Sequence, residues 1–187
     1  MNWWKILPCH LLKIMETEKN EKNASYIIRA VTLADAARIS EIYNYYIINT
    51  AVSFESQPVD SEQMAQRISD ILTSGYPYIV CEHRGRVVGY CYLHSWSGRC
   101  AYRTSAEISV YVDKDLQSKG AGSALMQYIL EGAKQTDIHT IIAGICIPNA
   151  KSTSLHEKFG FRQISHFKEI GFKLNQWRDV GHWQLLL

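Results

Sequence analysis

Ala106-Glu107-Ile108-Ser109-Val110-Tyr111-Val112 is followed, after Asp113 to Leu116, by Gln117-Ser118-Lys119-Gly120-Ala121-Gly122-Ser123. Leu125, Met126, Ile129, Leu130 and Ala133 come next. The first segment is rich in β-branched and aromatic residues, with Val110 and Val112 alternating against Tyr111, and reads as a strand. The last group repeats at helical spacing. The two glycines between them let the backbone turn tightly and approach a ligand closely. Unpaired N–H groups at a helix start, with the helix dipole, form an anion site, and Lys119 adds a cation. No Gly-Lys-Ser/Thr follows, so this is not a P-loop, and the third glycine of a dinucleotide fingerprint is absent. On these residues alone, the loop fits either an anion site or a glycine-rich turn that holds nothing.

Upstream, Tyr26 to Ala30 reads as a first strand. Thr32 is placed to N-cap a helix whose apolar face is Ile39, Ile42, Tyr43 and Tyr46. Asn49 to Pro58 is a loop. Asp60 and Gln63 form a capping-box pattern before Met64, Ile68, Ile71 and Leu72, and Gly75 and Pro77 end that helix. Tyr78 to Glu82 and Val87 to Trp96 form a hairpin about Arg84-Gly85, and Ser97 to Ser105 is a polar loop. Downstream, Thr140 to Ile147 is a strongly apolar, central strand broken by Pro148-Asn149. Ser152 to Phe159 reads as a short helix closed by Gly160. Phe161 to Phe172 and Trp177 to Leu187 are the final strands. This order predicts one α+β domain, a mostly antiparallel mixed sheet with helices on both faces.

The 187 residues suit one domain with a substantial core. The 20 basic and 18 acidic residues give a net charge of +2, too balanced to point to nucleic acid as a partner. No run approaches the roughly 18 apolar residues of a membrane span. The five cysteines, Cys9, Cys81, Cys91, Cys100 and Cys146, form no C-x-x-C pair and are odd in number. Neither a zinc site nor a disulfide framework is expected, and reduced thiols of a cytoplasmic protein are. The histidines show no metal-ligand pairing, so no metal is proposed. Pro8 and His10 interrupt the apolar start, and no small-residue cleavage site follows. The polar run Glu16 to Asn23 suits a flexible extension over residues 1–25, ahead of a domain at 26–187. Met15 is an alternative start.

Several separated segments, in this order, resemble the GNAT superfamily of acyl-CoA-dependent N-acetyltransferases. Within it the chain is similar to the phosphinothricin and L-amino-acid (methionine-derivative) N-acyltransferase group. They are Tyr43-Asn44-Tyr45-Tyr46, the Phe54 loop, Gly75-Tyr76-Pro77, the Ala106 strand with its glycine loop, Pro148-Asn149, Leu155-His156-Glu157 and Trp177-Arg178-Asp179-Val180-Gly181. The resemblance spans about Tyr26 to Leu187 and implies a GNAT-like fold. It implies acetyl-CoA as acyl donor, a small-molecule amine as substrate, and a homodimer. It implies that backbone groups of Val110, Tyr111 and Val112 hold the pantetheine arm. Gln117, Ser118, Lys119, Gly120, Ala121, Gly122 and Ser123 would hold the pyrophosphate. Asn149 would bind near the thiol end, and Lys158 would add a contact.

Acetyl transfer to an amine requires loss of an ammonium proton, donors for the developing oxyanion, and a proton for the departing thiolate. Glu107, among apolar and small neighbours, fits a general base whose burial would raise its pKa, or a structural glutamate facing solvent. The resemblance favours the base. His156 fits a surface histidine on a short helix. The resemblance gives it a contact to substrate or a part in proton transfer, where the wider superfamily has a tyrosine acid. Tyr111 or water are the other candidates for the acid. Arg99 and Tyr102 precede Glu107 in a loop where the resemblance places substrate contacts, and a guanidinium binds a carboxylate with two parallel hydrogen bonds. Arg99 reads equally as a solvated charge. Ser97 stands where the group often carries a base, which speaks against tight binding of a phosphinate. Phe54 either packs over substrate or belongs to the core. The competing functions are acetylation of another small amine or a protein N-terminus, and a non-catalytic acyl-CoA sensor.

Overall fold

A computed structural model describes residues 26–187. The extension expected over residues 1–25, with Met15 and Cys9, lies outside the described residues. Seven strands form one sheet: β1 (Ile27–Ala30), β2 (Tyr78–His83), β3 (Arg86–Ser95), β4 (Ser105–Val112), β5 (Thr140–Ile147), β6 (Arg162–Lys173) and β7 (Gln176–Leu186). Their order is β1-β2-β3-β4-β5-β7-β6. Every neighbouring pair is antiparallel except β4 and β5, which run parallel. Among the described residues four α-helices accompany the sheet: α1 (Ala36–Asn49), α2 (Ser61–Thr73), α3 (Ala121–Ala133) and α4 (Ala150–Lys158).

The helix starts obey local chemistry. The Asp60 carboxylate accepts from the Gln63 backbone N–H at 2.8 Å, and the Gln63 side chain accepts from the Asp60 N–H at 3.2 Å. Such reciprocal caps contribute about 1 kcal/mol. The first helix enters later than its pattern suggests. Thr32 precedes a single 3-10 turn, Leu33–Asp35, that leads into α1. The Asp35 carboxylate turns back to accept from the Thr32 N–H and hydroxyl, at 2.8 and 3.0 Å. Arg29 grips the same carboxylate at 2.7 and 2.8 Å and holds it below the usual carboxylate range.

The sheet has a core on each face, as strand alternation demands. On β4, Ala106 and Ile108 join Leu125, Met126 and Ile129 of α3, with Leu155 and Phe159 of α4 packed alongside. On the other face Tyr78, Val80 and Tyr90 pack against Ile39, Ile42 and Ile47 of α1 and Met64 and Ile68 of α2. Each fully buried aliphatic side chain contributes roughly 1.5–3 kcal/mol. Glu107, the β3 partner of which is His94, therefore emerges on the α1/α2 face, together with Ser109 and Tyr111. Among the described residues Cys81, Cys91, Cys100 and Cys146 are free thiols, and all but Cys100 are buried.

Candidate active site

The sheet parts at its centre. β4 and β5 pair only from Ser105 with Thr140 to Glu107 with Ile142. Beyond that point β4 continues along β3 as far as Val112, while β5 continues along β7 as far as Ile147. The edge of Ile108–Val112 that faces β5 thus has no strand beside it. A free edge presents a row of N–H and C=O groups that an amide-bearing chain can join as a further strand. A cleft of about 520 Å³ opens there, lined by Glu107 to Tyr111, Ala143 to Cys146, Asn149, Ser152 and His156, with Tyr43 and Val52 to Glu55 across it.

β4 leaves the cleft through a 3-10 turn at Lys114–Leu116 and reaches the glycine loop. Ser118 and Gly120 both have positive φ, +61° and +99°. Gly120 is the N-cap of α3 in the left-handed region, which a side chain makes costly. The backbone N–H groups of Ala121, Gly122 and Ser123 are then the unpaired donors of the first turn of α3. The loop is held from several sides. Tyr26 donates to the Lys119 carbonyl at 3.0 Å, and Lys119 Nζ donates to the Asp115 carbonyl at 2.9 Å. The Gln117 amide donates to the Tyr46 hydroxyl at 2.9 Å and accepts from Lys151 Nζ at 2.8 Å. Tyr46 in turn donates to the Val112 carbonyl. Lys158 Nζ donates to Ser123 Oγ at 3.2 Å, which sets a second cation at the start of α3. First-turn donors, three lysines and a free strand edge fit an elongated ligand with phosphates at one end and amides along its arm.

At the centre of the cleft stand the reactive side chains. Glu107 is 30% exposed. Of the two readings open in the sequence, it is not the fully buried carboxylate; the parting of β4 and β5 opens it to the cleft. His156 differs in the opposite sense. It is 3% exposed, not on the surface, with its ring edge-to-face with Phe161. Its Nδ1 donates to the Ser152 carbonyl at 2.8 Å. Burial lowers its pKa, so the neutral ring presents a bare lone pair at Nε2. Nε2 is buried without a hydrogen-bond partner, and such an atom calls for a ligand donor. Asn149 N-caps α4 through its side-chain oxygen, which accepts from the Ser152 N–H at 3.2 Å. Its amide nitrogen takes no part in that cap. Tyr111 stacks on Tyr90 and meets the ring edges of Tyr43 and Tyr46. Burial pushes its phenol well above the usual range.

The far wall is held by contacts between segments distant in sequence. Lys173 of β6 donates to the carbonyls of Ser53 and Glu55, the latter at 2.9 Å. The Glu55 carboxylate accepts from Arg67 at 2.7 and 3.0 Å and from the Tyr43 hydroxyl at 2.8 Å, and Arg67 holds its pKa low. This clamp lays Phe54 on the β6–β7 hairpin. A Cβ on Gly171 would sit 2.3 Å from Phe54 Cε1, so only glycine admits the ring. Phe54 is 42% exposed and lines the cleft, which makes it a wall and not core. Arg99 and Tyr102 are not brought to it. They lie on an exposed loop around a 3-10 turn, Cys100–Tyr102, outside the lining. Lys151, Tyr46 and the Tyr43–Glu55–Arg67–Lys173 clamp were not legible, because each acts through a partner distant in sequence.

This parted sheet, with a glycine turn and helix start beyond the free strand edge, fits an acyl-CoA-dependent transferase. The chain matches the acetyltransferase (GNAT) domain family over residues 28–182. It is similar to the L-amino acid N-acyltransferase MnaT of Escherichia coli, with 34% identity, covering 86% of this chain and 93% of that one. A phosphinothricin acetyltransferase of Sinorhizobium meliloti, solved with acetyl-CoA, superposes with a TM-score of 0.84 at 33% identity, covering 87% and 88%. A ribosomal-protein-alanine N-acetyltransferase of Brucella melitensis gives 0.83 at 34%, covering 86% and 99%. The chain belongs to the GNAT family. It is an acetyl-CoA-dependent N-acetyltransferase.

Proposed function

We propose that the enzyme acetylates the primary amine of a small amino-acid-like molecule of the phosphinothricin or methionine sulfone and sulfoximine type, with Glu107 receiving the ammonium. The observation that carries this reading is one cleft lined by Glu107, His156 and Asn149, residues from three separate elements, beside the free edge of β4. The kinship with an amino-acid N-acyltransferase and a phosphinothricin acetyltransferase supports the substrate class. Backbone groups of Val110, Tyr111 and Val112 hold the pantetheine arm. Gln117 to Ser123, with Lys119, Lys158 and also Lys151, hold the phosphates. When bound, acetyl-CoA supplies an activated acetyl carbonyl and a thiolate leaving group. Glu107 attracts the substrate ammonium and takes up its proton, and Phe54 closes the acceptor side. His156 Nε2 accepts a hydrogen bond within the cleft. A neutral ring whose one hydrogen is committed to Ser152 is poorly suited to protonate a thiolate, which leaves water or Tyr111 as the acid. Arg99 and Tyr102, on the exposed loop before β4, are assigned to the approach of the substrate.

The exposed apolar side chains of the β6–β7 hairpin, among them Ile170, Phe172 and Trp177, each 58–61% exposed, are where a second copy would bind in a homodimer. The free thiols suit work in the cytoplasm. The domain is taken to run over 26–187. A second reading is a protein N-terminal amine, favoured by the likeness to the ribosomal-protein-alanine enzyme. One assay separates them: thiol release from acetyl-CoA with methionine sulfone, methionine sulfoximine, phosphinothricin and an alanine-starting peptide. Turnover of the peptide alone would overturn the small-molecule reading.

A further inference from the structure

We propose that His94 is a second proton acceptor of the active site and takes the ammonium proton beside Glu107. This rests on the reading of Glu107 as the residue that receives the amine. His94 of β3 is the register partner of Glu107 of β4, so the two side chains leave the same face of the sheet next to each other. His94 Nε2 lies 3.9 Å from Glu107 Oε2. His94 Nδ1 lies 3.1 Å from the Ser95 carbonyl oxygen. A carbonyl only accepts, so the ring hydrogen sits on Nδ1, and in the neutral imidazole Nε2 is a bare lone pair. Two acceptors therefore face one another with no hydrogen between them. A group that donates twice satisfies both, and an ammonium nitrogen can stand about 2.8 Å from each at once.

Other titratable groups face this pair. The Tyr92 ring is 5.7 Å from that of His94, and its phenol is kept protonated by burial. Arg67 of α2 acts on Tyr92 from further away. On the other side of Glu107, the position of a Cβ on Gly144 would be 3.5 Å from Glu107 Oε1 and 3.8 Å from His182 Nε2. His182 is already engaged through Nδ1 with the Ser165 hydroxyl, at 2.8 Å.

The division of labour follows from chemistry. A carboxylate attracts an ammonium by its charge, and the bare lone pair of a neutral imidazole can accept a proton and return it to water. Glu107 draws the amine and takes up its proton, and His94 Nε2, the second acceptor, receives that proton on its way to solvent, leaving an imidazolium beside a carboxylate. The amine keeps its lone pair for the new C–N bond. His94, 37% exposed, then passes the proton to water. The amine loses two protons overall; this one goes to solvent, and the other balances the thiol formed as the C–S bond breaks.

The test is the pH dependence of kcat/KM for an active amine, measured on the wild type, His94→Gln, His94→Phe and Glu107→Gln. Calorimetric binding of acetyl-CoA reports that each variant is folded. Both His94 variants are expected to lose about tenfold or more at neutral pH and to change the shape of the acid limb, with acetyl-CoA affinity unchanged. If both keep the wild-type profile while Glu107→Gln is impaired, the role of His94 is overturned and that of Glu107 stands. If Glu107→Gln is as fast as the wild type, both fall.

Discussion

The two halves of the cleft are built by different means. The half proposed for the acyl donor offers backbone: the free edge of Ile108–Val112, the left-handed turn at Gly120 and the first N–H groups of α3. Its parts are nearly contiguous in the chain. The half proposed for the amine offers side chains: Glu107 of β4 and Phe54 of the loop between α1 and α2 line it, Lys173 of β6 braces that loop, and His94 of β3 stands beside Glu107. Backbone recognition suits a co-substrate shared by many enzymes, since it constrains few side chains. Side-chain recognition leaves the amine specificity free to vary on a constant frame.

That contrast can be broken from either side. The largest expected effect is on the chemistry: Glu107→Gln should lower kcat/KM for the amine about 100-fold or more, with acetyl-CoA affinity intact. An unchanged rate would remove Glu107 from its role. Next is the donor half. Gly120→Val forces a β-branched residue into φ near +99°, at a strain of about 1–2 kcal/mol. It should raise the KM for acetyl-CoA about tenfold and leave the amine KM alone; a shift confined to the amine would contradict the division. Gly171→Ala is the acceptor-side counterpart. It pushes Phe54 off the hairpin and should raise the amine KM roughly threefold without touching acetyl-CoA.

The smallest effect concerns stability. Burial lowers the folded-state pKa of His156, so the unfolded chain takes up the proton first as pH falls below about 6.5. The folded state loses stability through that window until the buried ring also protonates. Thermal melts of His156→Gln should decline less between pH 7 and 5 than those of the wild type. Parallel curves would mean that this ring does not titrate differently in the two states.

Much of the donor half was legible because its determinants are local. Positive φ at a glycine and a strand turning into a helix are written in adjacent residues, as is the Asp60–Gln63 cap of α2 elsewhere in the chain. Element positions followed for the same reason, to within a residue or two at the strand ends. The helix after Thr32 was placed too early, because Arg29 and Asp35 closed a 3-10 turn that no periodicity announces. The exposure of Glu107 was left open in the sequence, and the residues around His156 alone suggested a surface position, for a different reason. Burial depends on what stands opposite, and for Glu107 that is a gap between strands.

The sequence by itself determined the order of strands and helices, the sheet with two covered faces and the glycine turn; the class of acyl donor came from the resemblance of several segments to a family, and the turn alone left it open. These follow from hydrophobic period, turn chemistry and helix-end donors, which act over a few residues. Only the tertiary structure decided that β4 and β5 part after Glu107, and that Phe54 lies on Gly171. It also put His94 beside Glu107, left His156 buried with one bare nitrogen, and held Arg99 and Tyr102 outside the cleft. Each of these depends on strand register and on contacts between distant segments, which exist only once the chain has closed on itself.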